Sequence, residues 1–502
     1  MVGSEDWSCD ANKAVTIELV QRGPQSPKRL SRFHPQFTYP IFGESQTIFG
    51  YQGLRINIRF ASHDVRPNLE VSWEKQYETV GDTAAVDVKQ VLEDWLPTSA
   101  FEPLRDFETH IQSDPSASSF KPLGELVNSY TINSKRCEVW RAQLNDPDVR
   151  QMLQRMQIFI PFLIEGGTYI NLDDPEWSLQ RWSVFFLYEN QAEPPTSTTS
   201  PYVLLGYSTV YDYYLHSSPT LPKSTPPSSA LENFSLSTPP PPTYPHRSRI
   251  SQFLILPPFQ HQGHGSHFYN SLVTSFLQAP SCVEITVEDP NEAFDDLRDY
   301  CDLVRLRTGE HSKEFTSLRI NSAVAIPDKG RLPTSTFLPK ASLTALRTAT
   351  KIAPRQFERL VEMQLLSLIP IEILRTTIRR AQSTTLNEND KEKVRDKDKD
   401  KDKEYHVWRL LTKHRLYKFN RDKLAQVDLP ERIKNLEEVT DGVEDDYLRL
   451  LGSLESAGAG SSSDREGGAA NGSGIGGKRN LSAVDEMGDI GGTESPAKKA
   501  KP

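Results

Sequence analysis

The stretch SQFLILPPFQHQGHGSHFYNSLVTSFLQ, Ser251 to Gln278, carries the most chemistry in the chain. Phe253, Leu254 and Ile255 lie in an apolar run that predicts a strand, and Gln260, His261, Gln262, Gly263, His264, Gly265 and Ser266 follow as a glycine-punctuated turn. Phe268, Leu272 and Phe276 then share one face of an amphipathic helix. Strand, glycine turn and helix N-terminus together present several backbone N–H groups to a phosphate. Glycine lets a ligand approach where a Cβ would block it. The spacing is GxG rather than GxGxxG, and no acidic residue ends a following strand at the ribose distance, which excludes a dinucleotide fold.

In CVEITVEDPNEAFDDLRDY, Val283, Ile285 and Val287 alternate with Glu284, Thr286 and Glu288. Both glutamates therefore take the strand face opposite the apolar residues, toward solvent or a site. Asp289, Pro290, Asn291 and Glu292 predict the N-cap, N1 proline, N2 and N3 glutamate of a further helix, which makes Asp289 a cap rather than a catalyst. His261, His264 and His267 are three residues apart, with no acidic third ligand nearby, and are expected as loop-surface histidines without a metal. The four cysteines, Cys9, Cys137, Cys282 and Cys301, form no CxxC and have no histidine at ligand spacing, so reduced thiols are expected. Cys282 stands at the apolar start of a strand without a histidine base, which disfavours an acyl-cysteine route.

The elements that must hold these residues divide the chain. From Ala14 to Val71, short β-branched runs (AVTIELV, LRINIRF, LEVSW) predict strands of an N-terminal α+β domain over 1–122. Over 123–316, YTINSKRCEVWRAQL, a helix around Arg150 to Glu165, WSVFFLY, YVLLGYSTVYDYYLH, ISQFLIL and CVEITVE predict a central sheet of at least five strands with flanking helices. Disordered loops are expected at 192–201 and 217–245, rich in Pro, Ser and Thr. From 317 to 457 the period becomes helical, as in Phe357, Leu360, Val361, Leu365 and Leu368, and again in Trp408, Leu411, Leu416 and Leu424. The tract at 388–404 contains DKDKDKDKE, which puts like charges at i,i+4 and predicts a disordered linker. A Gly/Ser-rich disordered tail, 458–502, closes an α+β chain.

Composition narrows the function. The 502 residues carry 58 basic and 67 acidic side chains, a net charge of −9, which argues against sequence-independent nucleic-acid binding and suits a basic partner. The longest apolar run, Ile158 to Ile164, includes Pro161 and is far short of the ~20 residues a bilayer span needs. Met1 to Lys13 is polar and acidic, without a secretory signal, so an intracellular protein is expected. Lys478-Arg479 with Lys498-Lys499-Ala500-Lys501 resembles a bipartite nuclear import signal.

Gln-x-x-Gly-x-Gly between strand and helix resembles the pyrophosphate loop of the GNAT acetyltransferases. With SQFLILPPFQHQGHG, VEDPNEAFDDLRD, GYSTVYDYYLH, FGYQGL and RLYKFNRDKLAQVDLPERIKNLEE, the chain resembles the catalytic subunit of type B histone acetyltransferases from about Cys9 to Leu451. That resemblance implies a GNAT-type central mixed sheet and acetyl-CoA as co-substrate, with no metal. It places acetyl-CoA on Phe253, Leu254 and Ile255 and on Gln260 to Ser266, with a contact at Asn291, and assigns the general base to Glu288, a carboxylate partly buried with its affinity for protons raised. The acceptor it implies is a lysine in the N-terminal tail of newly synthesised histone H4. Contacts are expected from Glu44, Ser45 and Gln46, from Tyr211, Asp212 and Tyr213, and from Trp177 or Trp182, with Asp212 or Asp173 pairing basic neighbours. A WD-repeat histone-binding subunit is the implied partner, in cytoplasm and nucleus, with no direct nucleic-acid or membrane contact. Two alternatives stay open: a GNAT acting on another protein amine, and a non-catalytic histone-binding scaffold.

Overall fold

The computed structural model describes residues 7–191, 198–215, 244–327, 332–370 and 396–460, with side chains in the last stretch from 401 to 456. Most of both expected proline-rich loops, residues 371–395 and the tail from 461 onward lie outside the described residues. The fold is α+β. By its contacts the chain divides into two units, Met1–Glu288 and Asp289–Pro502.

In the first unit, β2 (Val15–Gln21), β3 (Lys28–Phe33), β6 (Arg55–Ala61) and β7 (Pro67–Ser72) form a sheet of order β3-β2-β6-β7. Two small pairs sit beside it, β1 (Ser8–Asp10) with β4 (Thr47–Phe49) and β5 (Tyr51–Gln52) with β8 (Lys75–Gln76). The larger sheet contains β9 (Glu125–Ile132), β10 (Lys135–Gln143), β11 (Trp182–Asn190), β12 (Tyr202–Tyr214), β13 (His246–Ile255) and β14 (Cys282–Val287), in the order β14-β13-β12-β11-β10-β9. The β9/β10 turn uses Asn133 and Ser134 at φ 49° and 63°, the left-handed pair that a tight two-residue hairpin demands. Within this six-stranded sheet all neighbours are antiparallel except β13 and β14. A parallel pair needs a crossover, and the helix His264–Gln278 supplies it, burying Phe268, Leu272 and Phe276.

One apolar core runs from Ala11 to Leu256 through both sheets. The expected boundary near 122 thus falls between two sheets that share a core, and the boundary by contacts falls at Glu288/Asp289. The expected helix over Arg150 to Glu165 is two, Pro147–Met156 and Phe159–Leu163. Pro161 has no N–H to give the Gln157 carbonyl and its ring would press on it. The Ile160 N–H bonds to that carbonyl instead, at 2.9 Å, and the axis breaks there.

The second unit opens with the helix Glu292–Thr308. Its N-cap is Asn291, whose Oδ1 accepts the Phe294 N–H at 2.9 Å. Asp289 is therefore not the cap; it stands at φ 33°, ahead of Pro290, which disfavours a helical residue before it. The remaining long helices, Pro354–Leu366, Asp396–Phe419 and Leu429–Gly460, pack around Trp408, with Leu360, Met363 and Tyr447 fully buried. Trp408 Nε1 donates to the Glu362 carbonyl at 2.9 Å. The charged tract departs from the expected linker: from Asp396 it is helical. Lys401 pairs with Glu404 at 2.6 Å, and buried Tyr405, Val407 and Trp408 anchor the next turn, from which helix propagates at low cost.

Candidate active site

The functional geometry begins where β13 and β14 part. β13 pairs with β12 out to Ile255, but with β14 only over His246 to Ile250. The last rung is the Glu288 N–H on the Ile250 carbonyl, at 2.9 Å. Beyond it β14 no longer pairs with β13, and among the described residues no strand takes its place beside 251–255, which leaves an opening inside the sheet. A bulge at Ser251, where the β12 partner steps from Thr209 to Val210, marks the divergence. It is fixed by Gln252, whose carbonyl accepts the Ser208 hydroxyl at 2.7 Å and whose Nε2 donates to the Thr168 carbonyl at 2.9 Å. The Leu256 N–H bonds to Leu205 of β12 at 2.9 Å, and by alternation the backbone groups of Phe253 and Ile255 face the opening. An extended ligand bearing amides can take these rungs as an added strand would.

The turn after β13 completes the cradle. Pro257–Phe259 forms a single 3₁₀ turn, His261 takes φ 58°, and Gly263 at φ 87° leads into the helix His264–Gln278. No side chain caps that helix, so its first-turn N–H groups, at His264, Gly265 and Ser266, can meet an outside anion. Gln260 Nε2 donates to the Ile255 carbonyl at 2.7 Å, and Gln262 Nε2 to the Pro258 carbonyl at 3.0 Å; both fix the turn. His264 is not a surface histidine as expected. It is 3% exposed, with Nδ1 3.1 Å from the Tyr130 hydroxyl and 3.9 Å from Cys137 Sγ. Burial lowers its pKa and pushes the Cys137 thiol up to about 11. His267 is exposed and stacks on Tyr130 at 4.4 Å, and His261 is exposed.

At the other end of the cleft, Glu288 extends from β14, its carboxylate 2.6 Å from Arg249 Nη2. Its side chain is 40% exposed and paired with Arg249. The strand pattern departs from simple alternation: Val283 is exposed because the register skips it between Cys282 and Glu284. Glu284 pairs with Arg247 at 2.8 Å.

Cross-strand register gathers the aromatic residues. Trp182, Tyr211, Arg249 and Thr286 stand opposite one another across β11, β12, β13 and β14. They share one face with Tyr213. The Trp182 and Tyr211 rings meet at 4.8 Å, and Tyr211 and Tyr213 at 4.7 Å. Trp177, on the helix Glu176–Leu179, flanks this row through Arg181, whose guanidinium lies 5.1 Å over its ring and 3.4 Å from the Tyr211 hydroxyl. Asp212 points to the other face, accepting the Ser248 hydroxyl at 2.8 Å near His246. Burial raises its pKa, so the expected pairing of Asp212 with a basic peptide is not what this geometry offers. Asp173 is exposed. Glu44, Ser45 and Gln46 form the turn before β4; Glu44 and Ser45 are exposed, whereas Gln46 is structural, its Oε1 accepting Asn12 Nδ2 at 2.9 Å and the Thr38 N–H at 3.0 Å. The Asn291 Oδ1 is occupied as a helix cap. Sequence reasoning missed Arg249, Arg181 and Gln252; alternate arginines at 247 and 249 facing alternate glutamates were the available signal.

Comparison with known proteins identifies the family. The family model described as Histone acetyl transferase HAT1 N-terminus matches residues 7–165, and Fungal HAT1, C-terminal, matches 319–368. The chain is 39% identical over 518 residues to the histone acetyltransferase type B catalytic subunit of Neurospora crassa, covering 100% of this chain and 99% of that one. Its counterparts in Aspergillus oryzae (42%, covering 90% of this chain and 87% of that one) and Emericella nidulans (43%, 90% of each) are similar to it too.

Proposed function

The chain belongs to the family of histone acetyltransferase type B catalytic subunits, and for this acetyltransferase we propose acetyl-CoA as donor, a lysine ε-amine in the N-terminal tail of newly synthesised histone H4 as acceptor, and Glu288 as general base. The observation that carries the reading is the open edge of β13 at residues 251–255, with an uncapped helix N-terminus at one end and the Glu288 carboxylate at the other. Acetyl-CoA, when bound, supplies the thioester whose acetyl group the amine takes. The rungs of Phe253 and Ile255 suit its pantetheine amides, and the N–H groups of His264 to Ser266 suit its pyrophosphate.

A lysine amine, with pKa ~10.4, is almost wholly protonated near neutrality, so a proton must leave before attack. In this reading Glu288 accepts it, directly or through a water. Trp182, Tyr211 and Tyr213 offer flat apolar walls to a lysine stem, which favours a peptide side chain over a small polar amine. The net charge of −9 suits a basic tail. A WD-repeat histone-binding subunit as partner, and residence in cytoplasm and nucleus, complete the proposal. The test is acetylation of an H4-tail peptide followed by mass spectrometry: Glu288→Gln is expected to bind acetyl-CoA normally and to turn over ~100-fold more slowly, and undiminished turnover would refute the assigned base.

A further inference from the structure

We propose that Arg249 is a positioning residue for this reaction, holding the Glu288 carboxylate against the aromatic face. The inference rests on Glu288 as base. Glu288 lies one residue past the end of β14, and the chain turns away immediately at Asp289, φ 33°. A glutamate so placed keeps its rotamer freedom unless something anchors it. Arg249 does. It is rooted between Tyr211 of β12 and Thr286 of β14. Its Nη1 donates to the Tyr213 hydroxyl at 3.0 Å, its guanidinium lies 5.5 Å from that ring's centroid, and Nη2 reaches Glu288 at 2.6 Å. The Tyr213 hydroxyl and ring hold one side of the planar fork, and the Glu288 carboxylate takes the other.

The neighbouring pair of the same chemistry, Arg247 with Glu284, is a contrast: Arg247 is 50% exposed against 29% for Arg249. It is a rim pair. Other charged groups nearby include Arg181, on the Tyr211 hydroxyl, Asp289, next in the chain, and Asp212 with His246 on the opposite sheet face. The charge of Arg249 has a second consequence, since it disfavours the ammonium form of an incoming lysine and so favours the nucleophile.

Steady-state acetylation of an H4-tail peptide tests this with Arg249→Gln, Arg249→Lys, Arg247→Gln, Glu288→Gln and the Arg249→Gln/Glu288→Gln double variant. Arg249→Gln is expected to lower kcat about ten- to hundredfold, as a roughly 1 Å misplacement does, with KM for acetyl-CoA within about twofold. Arg249→Lys recovers part of the loss, and Arg247→Gln stays within about twofold of wild type. In the Glu288→Gln background, Arg249→Gln should cost less than about twofold, because a residue acting through Glu288 has nothing left to position. Wild-type kcat in Arg249→Gln, or losses that multiply in the double variant, would overturn the assignment. Undiminished turnover in Glu288→Gln would instead sink the base itself, a separate outcome. If Arg249→Gln loses acetyl-CoA binding altogether, Arg249→Lys decides: severalfold lower kcat with an unchanged coenzyme KM supports the role, and full kcat overturns it.

Discussion

Gly206 is where a single methyl group should reach the proposed coenzyme site. It lies on β12 with Ile255 as its register partner, and a Cβ built there collides with the Leu254 carbonyl oxygen and stands 3.0 Å from Ile255 Cα and 3.1 Å from Ile255 Cδ1. Those first neighbours are backbone, not a flexible side-chain end, so β12 and β13 must part by about 1 Å to restore an ordinary carbon–oxygen contact. Overpacking of this kind costs about 1–3 kcal/mol, a Tm loss of a few degrees for a unit this large. The displaced backbone is the same segment whose other edge is open, so Gly206→Ala should also weaken acetyl-CoA binding about tenfold, or ~1.4 kcal/mol. Calorimetric titration with acetyl-CoA and a thermal melt read both effects. Wild-type affinity together with an unchanged Tm would refute the close-approach reasoning; a lowered Tm with unchanged affinity would detach the open edge from coenzyme binding.

Two further expectations concern stability. Burial holds the folded pKa of His264 below its unfolded value, so the unfolded chain takes the proton first; the stability due to its neutral ring is complete above about pH 6.5 and is lost as pH falls from there toward the folded value. Melts between pH 7.5 and 5 should therefore show a shallower acid slope for His264→Asn than for wild type, not a flat one, because burial shifts His63 in the same direction; equal slopes would contradict the assignment. In the second unit, Arg415 gives Glu362 two hydrogen bonds of 2.8 Å in a buried pair. Arg415→Met should cost about 3–5 kcal/mol in urea unfolding, and adding Glu362→Leu should recover much of it; a double variant as unstable as the single one would be the contrary result.

What sequence discloses here divides along physical lines. Strands with strong β-branched runs, such as β2, β6, β11 and β12, emerge as read, as do the inward Phe268, Leu272 and Phe276, because local periodicity alone decides them. The strand, turn and helix of the proposed coenzyme cradle are legible for the same reason. Features that depend on register are not. The skipped Val283 and the bulge at Ser251 arise from pairing with neighbours, as do the Arg249–Glu288 pair and the turning of Asp212 away from Tyr211 and Tyr213. The helix from Asp396 illustrates another limit: local charge repulsion at i,i+4 is worth only a few tenths of a kcal/mol, less than the buried Tyr405, Val407 and Trp408 contribute from the next turn.

We propose that Glu288, at the mouth of the parted strands, takes the proton from a histone lysine. Mass-spectrometric acetylation of an H4-tail peptide, run with and without Glu288→Gln alongside a measurement of acetyl-CoA affinity, tests it most directly. The predicted result is modification of the tail that falls ~100-fold in the variant while acetyl-CoA affinity holds. Equal modification by both proteins, or none by either despite acetyl-CoA binding, would contradict it.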